Sequence, residues 1–318
     1  MEQKTPAVFH SGFVAVMGHP NVGKSTLINR FLQQKIAAVS PRPQTTRKRQ
    51  LGILTTDSAQ IIFMDTPGMH RPRHKLGHYM NQQVNEALKD ADLILFIVDA
   101  SLPPTEEDQM LAELIQDEKR QNMTLLVLNK MDLLKAEQLE ERQRQFEQLL
   151  PGCTSMAISA SRGDHCDELL NMITARLPEG PAYFPEDQIT DFYERDIAAD
   201  LIREAALNHL RDEVPHGIAV RIDEYKERSE GTAYIAATLL LEREAHKPIV
   251  IGKNGAMLKK IGTSARMEIE NLIGRKAFLE LRVKVDKDWR DDEDALRRLG
   301  FAVTTQKGKK HGKQAVRI

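Results

Sequence analysis

This chain of 318 residues has little of what marks secreted, metal-binding or membrane-spanning proteins. It contains two cysteines and one tryptophan, and aromatic residues make up only 5% of it. Cys153 and Cys166 do not have the spacing of a metal or redox motif, so we expect ordinary thiols in a reducing compartment. The longest apolar run, residues 93–98, is too short to span a bilayer. We also expect no signal peptide, and therefore a cytoplasmic protein.

An excess of charge of either sign is lacking too. The formal net charge is −1, so net charge excludes no class of partner, and only its distribution is informative. Residues 252–266 and 301–318 contain Lys and Arg but no Asp or Glu, which is typical of a surface for a polyanion. For the terminal stretch alone, a solvated tail is an equally good interpretation.

The first half of the chain alternates short apolar runs with amphipathic stretches. This pattern over residues 13–176 predicts an α/β domain with a doubly wound, mostly parallel sheet. Strands are predicted at 13–17, 60–64, 93–99, 124–128 and 156–158, with a weaker edge strand at 47–55. Helices are predicted at 25–33, 105–120, 135–149 and 164–176.

A different order of elements follows a segment rich in proline and glycine. Residues 177–185 hold three prolines and one glycine, which predicts a linker. Domain boundaries are therefore predicted at 11–178 for the first domain, 179–187 for the linker, 188–301 for an α+β second domain and 302–318 for a basic tail. In the second domain we expect a helix near 191–211, strands near 218–225 and 233–242, a strand end at 249–251, helices across 256–272 and a strand at 278–285.

The first motif links a predicted strand to a predicted helix, which is the context that a phosphate-binding loop requires. Residues 18–25 fit the pattern G-x-x-x-x-G-K-[ST], whose backbone N–H groups and helix N-terminus cradle phosphate. We expect Lys24 to reach the β- and γ-phosphates and Ser25 to coordinate Mg²⁺. The predicted nucleotide-binding residues here are Gly18, His19, Pro20, Asn21, Val22, Gly23, Lys24, Ser25 and Thr26.

The second motif follows the strand predicted at 60–64. Asp65 is expected to hold Mg²⁺ through water, and the Gly68 N–H to sense the γ-phosphate. A β-turn would explain this segment alone, but its place after the third strand favours a nucleotide switch. Nucleotide contact is predicted for Asp65, Thr66, Pro67, Gly68 and Met69.

A proline-rich, basic segment at residues 40–47 is predicted to be a mobile loop. A threonine there can complete the Mg²⁺ shell only when the γ-phosphate is present, which makes such loops switches. We favour Thr46 over Thr45 for this role. The predicted magnesium ligands are Ser25, Thr46 and Asp65. The predicted catalytic residues are Lys24, Ser25, Thr46, Asp65 and Gly68.

Two further segments, each after a predicted strand, indicate which base is bound. The carboxylate of Asp132 can accept hydrogen bonds from N1–H and the exocyclic amine of guanine, whereas adenine offers neither donor there. We expect Asn129 to help hold the base, the stem of Lys130 to cover the ring, and the segment Ser159-Ala160 to add a backbone N–H to the guanine oxygen. Together the motifs predict GTP or GDP as the ligand, with Mg²⁺.

A glycine turn near the end of the chain predicts a type II KH module. Its G-x-x-G backbone can approach nucleic-acid phosphates, and single-stranded RNA is the favoured ligand because its base edges are readable. Ile249, Ile251 and Ile261 are expected to floor a groove for unstacked bases. The predicted RNA-binding residues are Ile249, Ile251, Gly252, Lys253, Asn254, Gly255, Lys259 and Lys260.

The combination of one GTPase domain with a KH module resembles the Era family of bacterial GTPases over roughly residues 11–301. The resemblance includes the stretches 184–191, 283–289 and 295–301. It implies GTP hydrolysis, binding of the 3′ end of small-subunit (16S) ribosomal RNA, and a role in late assembly of the 30S subunit. It also implies loose peripheral contact with the inner membrane. The tail extends past the usual family end, and either adds phosphate contacts or is a solvated terminus.

The position after Gly68 departs from the pattern of many GTPases. A glutamine there orients the attacking water, whereas Met69 cannot, so we expect slow intrinsic hydrolysis or another device. In related GTPases with a Pro-Asn pair in the phosphate loop, the asparagine helps hold a potassium ion that replaces an arginine finger. Asn21 is therefore a hypothetical potassium ligand.

Three other classes of protein fit the sequence less well. A tRNA-modification GTPase would carry a catalytic C-terminal cysteine, and no cysteine follows Cys166. A non-enzymatic RNA-binding protein with a vestigial nucleotide fold is disfavoured because every expected GTP-contacting residue is present. A tandem GTPase is excluded because only one set of motifs exists.

Overall fold

The computed structural model describes residues 8–40, 42, 45–228 and 231–301, which form one six-stranded and one three-stranded sheet with their helices. The terminal tail, and with it the predictions made for residues 302–318, lies outside these ranges. None of the helices described combines the length and the apolarity that a crossing of a lipid bilayer demands.

The first domain is built around the six-stranded sheet, in the order β2-β3-β1-β4-β5-β6. Its elements are β1 (His10–Met17), α1 (Lys24–Leu32), β2 (Gln50–Thr55), β3 (Ala59–Asp65), α2 (Lys75–Asp90), β4 (Leu93–Asp99), α3 (Glu106–Asp117), β5 (Thr124–Asn129), α4 (Ala136–Leu149), β6 (Thr154–Ala157) and α5 (Cys166–Thr174). Only the edge strand β2 runs antiparallel to its neighbour. The order of strands reverses at β1, and such a reversal opens a crevice for ligands at the carboxyl ends.

Central strands β3 and β4 are buried at every position, as expected for strands with helices on both faces. The two faces pack into separate apolar clusters, one containing Val16 and Ile97, the other Phe96 and Leu128. Because the carboxyl ends of parallel strands meet at one edge, the loops after β1, β3, β5 and β6 come together there.

Every strand predicted in the first domain is present within a few residues of its predicted bounds, and the edge strand at 47–55 is β2. Helix α2, however, was not predicted. Its apolar positions are interrupted by Gly77, His78 and Asn81, and its buried side chains face two different clusters. Leu76 packs toward the second domain and Leu88 into the first, yet Leu76, Met80, Val84 and Leu88 recur every four residues. This apolar stripe is the signal that could have identified the helix.

The linker and the residues directly after it, up to residue 191, lie against the first sheet. The Ile53 N–H donates to the Ile189 carbonyl at 2.8 Å, and the Leu51 N–H to Asp191 Oδ1 at 2.8 Å. The Gln60 amide also bonds to the backbone of Phe184. These bonds occupy the outer edge of β2. The domain boundaries stay a prediction.

The second domain is built on the three-stranded sheet β7-β8-β9, in which β7–β8 is antiparallel and β8–β9 is parallel, and helices pack on both of its faces. Its elements are α6 (Glu194–His209), β7 (Ala219–Glu227), β8 (Ala233–Leu241), α7 (Lys247–Ile251), α8 (Ala256–Ile273), β9 (Ala277–Val285) and α9 (Glu293–Arg298). The order helix, strand, strand, helix, helix, strand is that predicted for a type II KH module.

Two predictions in this domain are wrong. Residues 249–251 end the short helix α7, not a strand, because Pro248 lies in its first turn and Gly252 ends it, although Ile-Val-Ile favours strands. Ile261 is fully buried in the core between helices and sheet, so it cannot floor a groove.

A separate apolar cluster joins the two domains. The fully buried Trp289 is its largest side chain, and its indole N–H donates to the Gly217 carbonyl at 3.0 Å. The buried members are Leu76, Tyr79 and Met80 of α2 together with Ala219, Leu240, Trp289, Ala295, Leu296 and Phe301 of the second domain. Helix α2 therefore contributes to both domains.

Candidate nucleotide and RNA sites

An asparagine at the end of β5, on the side of the site predicted to bind guanine, holds the phosphate loop between β1 and α1 in place. Gly23 has a φ of 104°, and a Cβ there would lie 2.2 Å from Asn129 Nδ2. Only glycine adopts this left-handed conformation readily and leaves this space. The Asn129 amide donates to the Val22 carbonyl at 2.7 Å. Asn129 therefore positions the loop.

Lys24 closes the loop from within. Its Nζ donates to the carbonyls of Gly18 and His19 at 2.9 and 3.0 Å. Burial lowers the pKa of Lys24 from 10.5 to about 8, while the Asp65 and Asp108 carboxylates act to raise it. A bound phosphate would raise this pKa, because it adds a further anion beside the buried ammonium group.

Three oxygens predicted to hold magnesium converge. Ser25 Oγ donates to Asp65 Oδ2 at 2.8 Å, Thr46 Oγ1 donates to the same atom at 3.1 Å, and the two hydroxyls are 3.2 Å apart. Thr45 instead donates to the Arg42 carbonyl at 2.9 Å. Thr46, the residue favoured from the sequence, is thus the threonine at the site; its role stays a prediction.

The other oxygen of Asp65 supports a cation there. Asp65 Oδ1 is buried and has no hydrogen-bond partner among the residues that the structure describes. Burial raises the pKa of Asp65, with Lys24 as the main opposing influence. Hydroxyl and carboxylate oxygens are the ligands that Mg²⁺ prefers, so the donor set fits this ion.

The segment after β3 lies against the phosphate loop. Thr66 Oγ1 donates to the Val16 carbonyl at 2.8 Å, and Gly68 contacts Pro20 closely enough that a Cβ would lie 2.6 Å from the Pro20 nitrogen. Met69 is buried in the apolar cluster beneath the sheet. Gly68 therefore lies against the phosphate loop and Met69 packs in the core, while contact of Gly68 with a γ-phosphate stays a prediction.

At the guanine end, Asp132 has an unused acceptor. Its Oδ1 is buried without a hydrogen-bond partner among the described residues, and its Oδ2 lies 3.7 Å from Arg162 Nε. Lys130 Nζ pairs with Asp99 Oδ2 at 2.5 Å, which holds the lysine stem along this side. An orphaned carboxylate oxygen fits the N1–H and amine donors of guanine.

Two details differ from the simplest expectation. The Asn129 side chain, expected to help hold the base, accepts from the Ala160 N–H at 2.9 Å and so joins two loops. The Ala160 N–H, from the segment expected to reach the guanine oxygen, is thereby engaged. Ser159 beside it is fully buried. Asn129 therefore positions both loops, and its contact with the base stays a prediction.

The second domain has a groove between α8 and β9. It is lined by Gly255, Leu258, Lys259, Gly262, Thr263, Arg266, Leu279 and Leu281. Gly255 and Lys259 were predicted from the sequence. The apolar floor formed by Leu258, Leu279 and Leu281 was missed. Positions 258, 262 and 266 recur every four residues on α8, a signal that could have identified this face.

The other predicted RNA-binding residues lie around the G-x-x-G turn, not in the groove. Gly252 has a φ of 72°, and a Cβ there would lie 2.8 Å from the Met257 nitrogen. Asn254 also has a positive φ of 53°. Lys253 and Lys260 are exposed, and Ile249 is 50% exposed on α7. Ile251, the last residue of α7, directly precedes the turn.

Residue 47, next to the switch threonine, reaches into the second domain. Arg47 is buried and donates to the Ile218 and His216 carbonyls at 2.7 and 2.9 Å. Its guanidinium lies 5.4 Å from the centroid of the Trp289 ring. Sequence patterns gave no sign of this role.

Known families match both halves of the chain. A family described as "50S ribosome-binding GTPase" matches residues 13–130, and the KH domain family matches residues 213–290. GTPase Era of Geobacter metallireducens is 47% identical over 294 residues, covering 92% of this chain and 98% of that protein. The chain belongs to the Era family. GTPase Era of Halothermothrix orenii is 45% identical over 293 residues, covering 92% and 99% of the two chains.

Two solved Era structures are similar along nearly the whole chain. One is Era in complex with MgGDPNP and nucleotides 1506–1542 of 16S ribosomal RNA, with a TM-score of 0.86 and 40% identity over 93% of this chain and all of that one. The other is a variant of Aquifex aeolicus Era bound to GDP·AlF4⁻, with a TM-score of 0.88 and the same identity and coverage. The predicted fold class, a P-loop GTPase domain followed by a KH domain, is confirmed, and the chain is an Era-type GTPase.

Proposed function

We propose that this Era-family GTPase binds the 3′ end of small-subunit ribosomal RNA through its KH groove and assists assembly of the 30S subunit under control of its nucleotide state. The observation that carries the proposal is the groove floored by Leu258, Leu279 and Leu281 beside a G-x-x-G turn. Apolar floors accept unstacked bases, while the turn backbone and Lys259 suit phosphates. The Era solved with ribosomal RNA supports the choice of ligand.

Within the nucleotide site, the position of each residue determines its role. Lys24 and the loop N–H groups bind the phosphates, and Asp132 selects guanine. Ser25, Thr46 and Asp65 would hold Mg²⁺, which when bound neutralises charge on the β- and γ-phosphates. Thr46 reaches Asp65 from the switch segment, so its position reports whether the γ-phosphate site is filled.

The geometry supplies no side chain at position 69 to orient water, since Met69 is buried. Asn21 has a left-handed backbone, with φ of 69°, at the mouth of the phosphate loop. We propose that it helps hold a potassium ion there. Equal GTP turnover in sodium and potassium buffers would contradict this role, whereas faster turnover in potassium that Asn21→Ala abolishes would support it.

Both switch segments contact the second domain, which supports control of RNA binding by the nucleotide. Arg47 follows Thr46 and bonds to the turn before β7. Helix α2, which follows the Gly68 segment, begins where the Leu76 N–H donates to the Arg290 carbonyl at 3.0 Å. Movement of either switch would therefore displace groups that the second domain holds.

The test is the affinity for an RNA matching the 3′ end of 16S ribosomal RNA, measured once with a non-hydrolysable GTP analogue and once with GDP. Tighter binding with the GTP analogue is expected. Equal affinity in both states would keep the RNA partner but remove the control. Absence of binding in both would overturn the KH assignment of function.

We place this function in the cytoplasm, where small subunits assemble. The peripheral contact with the inner membrane that the family resemblance implies stays a prediction. Co-sedimentation of the chain with 30S subunits, with and without the GTP analogue, would test the assembly partner directly.

A further inference from the structure

Two aromatic rings lie side by side on the face of the second sheet that is opposite α6 and α8. Tyr234 of β8 and Phe278 of β9 are register partners, with ring centroids 5.9 Å apart and planes 14° apart. Side chains alternate along a strand, and their neighbours Ile235 and Leu279 point to the side of α6 and α8. Phe278 is 54% exposed, unusual for a phenylalanine in a strand.

Cations surround these rings. The guanidinium of Arg228 lies 3.9 Å from the Tyr234 ring centroid and 5.6 Å from that of Phe278, and Lys226 Nζ lies 5.5 Å from Tyr234. Lys226 pairs with Glu224 at 2.6 Å. Arg228 forms no ion pair with any residue that the structure describes. Its charge faces the two rings and, beyond hydrogen-bond distance, the Glu280 carboxylate, which accepts from the Tyr234 hydroxyl at 2.8 Å and pairs with Arg282. The guanidinium is therefore still open to an anion such as a phosphate.

The patch formed by Arg228, Tyr234 and Phe278 borders the RNA groove. β9 is the edge strand of the sheet, and consecutive residues of it face opposite sides. Leu279 lines the groove while Phe278 faces outward. An RNA strand that leaves the groove at the Arg266 end and turns around β9 meets Phe278 first.

We propose that this patch is a second RNA subsite, a platform on which an unpaired base next to the groove-bound segment stacks. Its chemistry is that of single-strand binders, which combine aromatic faces for bases with cations for phosphates. The inference rests on the proposed RNA binding through the groove. A single exposed aromatic ring surrounded by charged side chains offers too little apolar area to bind a protein partner stably, and this favours RNA as the ligand.

The experiment compares two RNAs on the full chain loaded with a GTP analogue. The short RNA has about four nucleotides, the length that a KH groove clamps, and the long one extends it by about eight. Phe278→Ala is expected to weaken binding of the long RNA by about 5- to 100-fold, the range measured for loss of one stacked base, and to leave the short RNA unchanged. Phe278→Tyr keeps a ring and should retain tight binding, whereas Phe278→Leu keeps only apolarity and should not.

Leu133→Ala is the matched control, because Leu133 is also exposed, at 63%, but lies in the first domain. A photo-crosslink from a 4-thiouridine in the extension to a peptide containing Phe278 would support the subsite independently. Equal effects of Phe278→Ala on both RNAs, or no effect on either, would overturn it. Failure of both RNAs to bind the unaltered chain would instead overturn the proposed function. Concentration-dependent dimerisation lost in Phe278→Ala would assign the face to a second copy of the chain and also overturn the inference.

Discussion

The two ends of the nucleotide site differ in where their contacts lead. At the guanine end, Asn129 joins Val22 to Ala160, and Lys130 pairs with Asp99, so every bond stays within the first domain. At the switch end, bonds continue from the residue next to Thr46 into the turn before β7, and from the start of α2 to Arg290. Choice of base and communication with the RNA domain are therefore separate, and each can be altered alone.

The largest effect is expected from Asp132→Asn at the guanine end. An amide replaces one acceptor by a donor, so the affinity for GTP should fall by about 100- to 10,000-fold, the loss expected for two hydrogen bonds to a charged group. Xanthosine triphosphate, which has a carbonyl in place of the guanine amine, should recover much of it. Titration with fluorescent nucleotides measures both. RNA affinity of the nucleotide-saturated variant should be unchanged, and a parallel loss would show that the two ends are not separate.

A matched pair of variants, Thr46→Ala and Thr45→Ala, tests which threonine acts at the switch end of the site. Of the two threonines only Thr46 bonds to Asp65, so its loss should slow single-turnover GTP hydrolysis by about 100-fold, the low end for removal of one preorganised group. Thr45→Ala should change hydrolysis little, because the Thr45 hydroxyl donates to the Arg42 carbonyl and not to Asp65. Equal effects of the two substitutions would contradict the assignment.

The lowered pKa of Lys24 predicts that the affinity for nucleotide depends on pH. Its pKa of about 8 in the free protein means that the charged form, which binds phosphate, is lost as pH rises through that value. Affinity for GTP should fall by up to about 10-fold per pH unit above 8 and stay level below it. Calorimetric titrations from about pH 7 to about pH 9 check this. Lys24→Arg keeps its charge over this range and should bind with a flatter profile; an equally steep one would point to another group.

The stability of the free protein should change in the opposite direction. The unfolded chain, with an ordinary lysine pKa of 10.5, binds more protons than the folded chain between pH 8 and that value. The contribution of Lys24 therefore raises the free energy of unfolding as pH increases through this interval.

Arg47→Ala is expected to have the smallest effect, and it tests the path between the domains. Loss of two bonds to the second domain should reduce the ratio of RNA affinities between GTP-analogue and GDP states by about 5-fold, the low end of measured couplings. Filter binding in both states measures the ratio. Arg49→Ala is the control, because Arg49 pairs with Asp90 within the first domain. If both variants lowered the ratio equally, the contacts of Arg47 would not carry the coupling.

The nucleotide site was largely predictable because its parts are short contiguous loops after strands. Glycine spacing and the order of strands place Lys24, Asp65 and Asp132 without knowledge of packing. The supporting role of Asn129 was not predictable, because it depends on two loops that meet only in the folded sheet.

The RNA groove was predictable only on the helix side. Its turn is marked by glycines, but Leu279 and Leu281 belong to a strand whose alternation does not show which helix it faces. Ile261 was misplaced for the same reason, since an isoleucine in an amphipathic helix has no sign of which neighbour it meets. Arg47 and Trp289 lie far apart in sequence, and no local pattern indicates that they stack.

The segment at residues 179–191 matters for any attempt to produce the first domain as a separate fragment. It occupies the outer edge of β2, through Ile189 and Asp191. A fragment that ended at residue 178 would expose a strand edge with free N–H and C=O groups, which other chains can extend by pairing. Such a fragment should self-associate more strongly than one that continues through residue 191, since both expose Leu76, Tyr79 and Met80 of α2 and only the shorter one also exposes the strand edge.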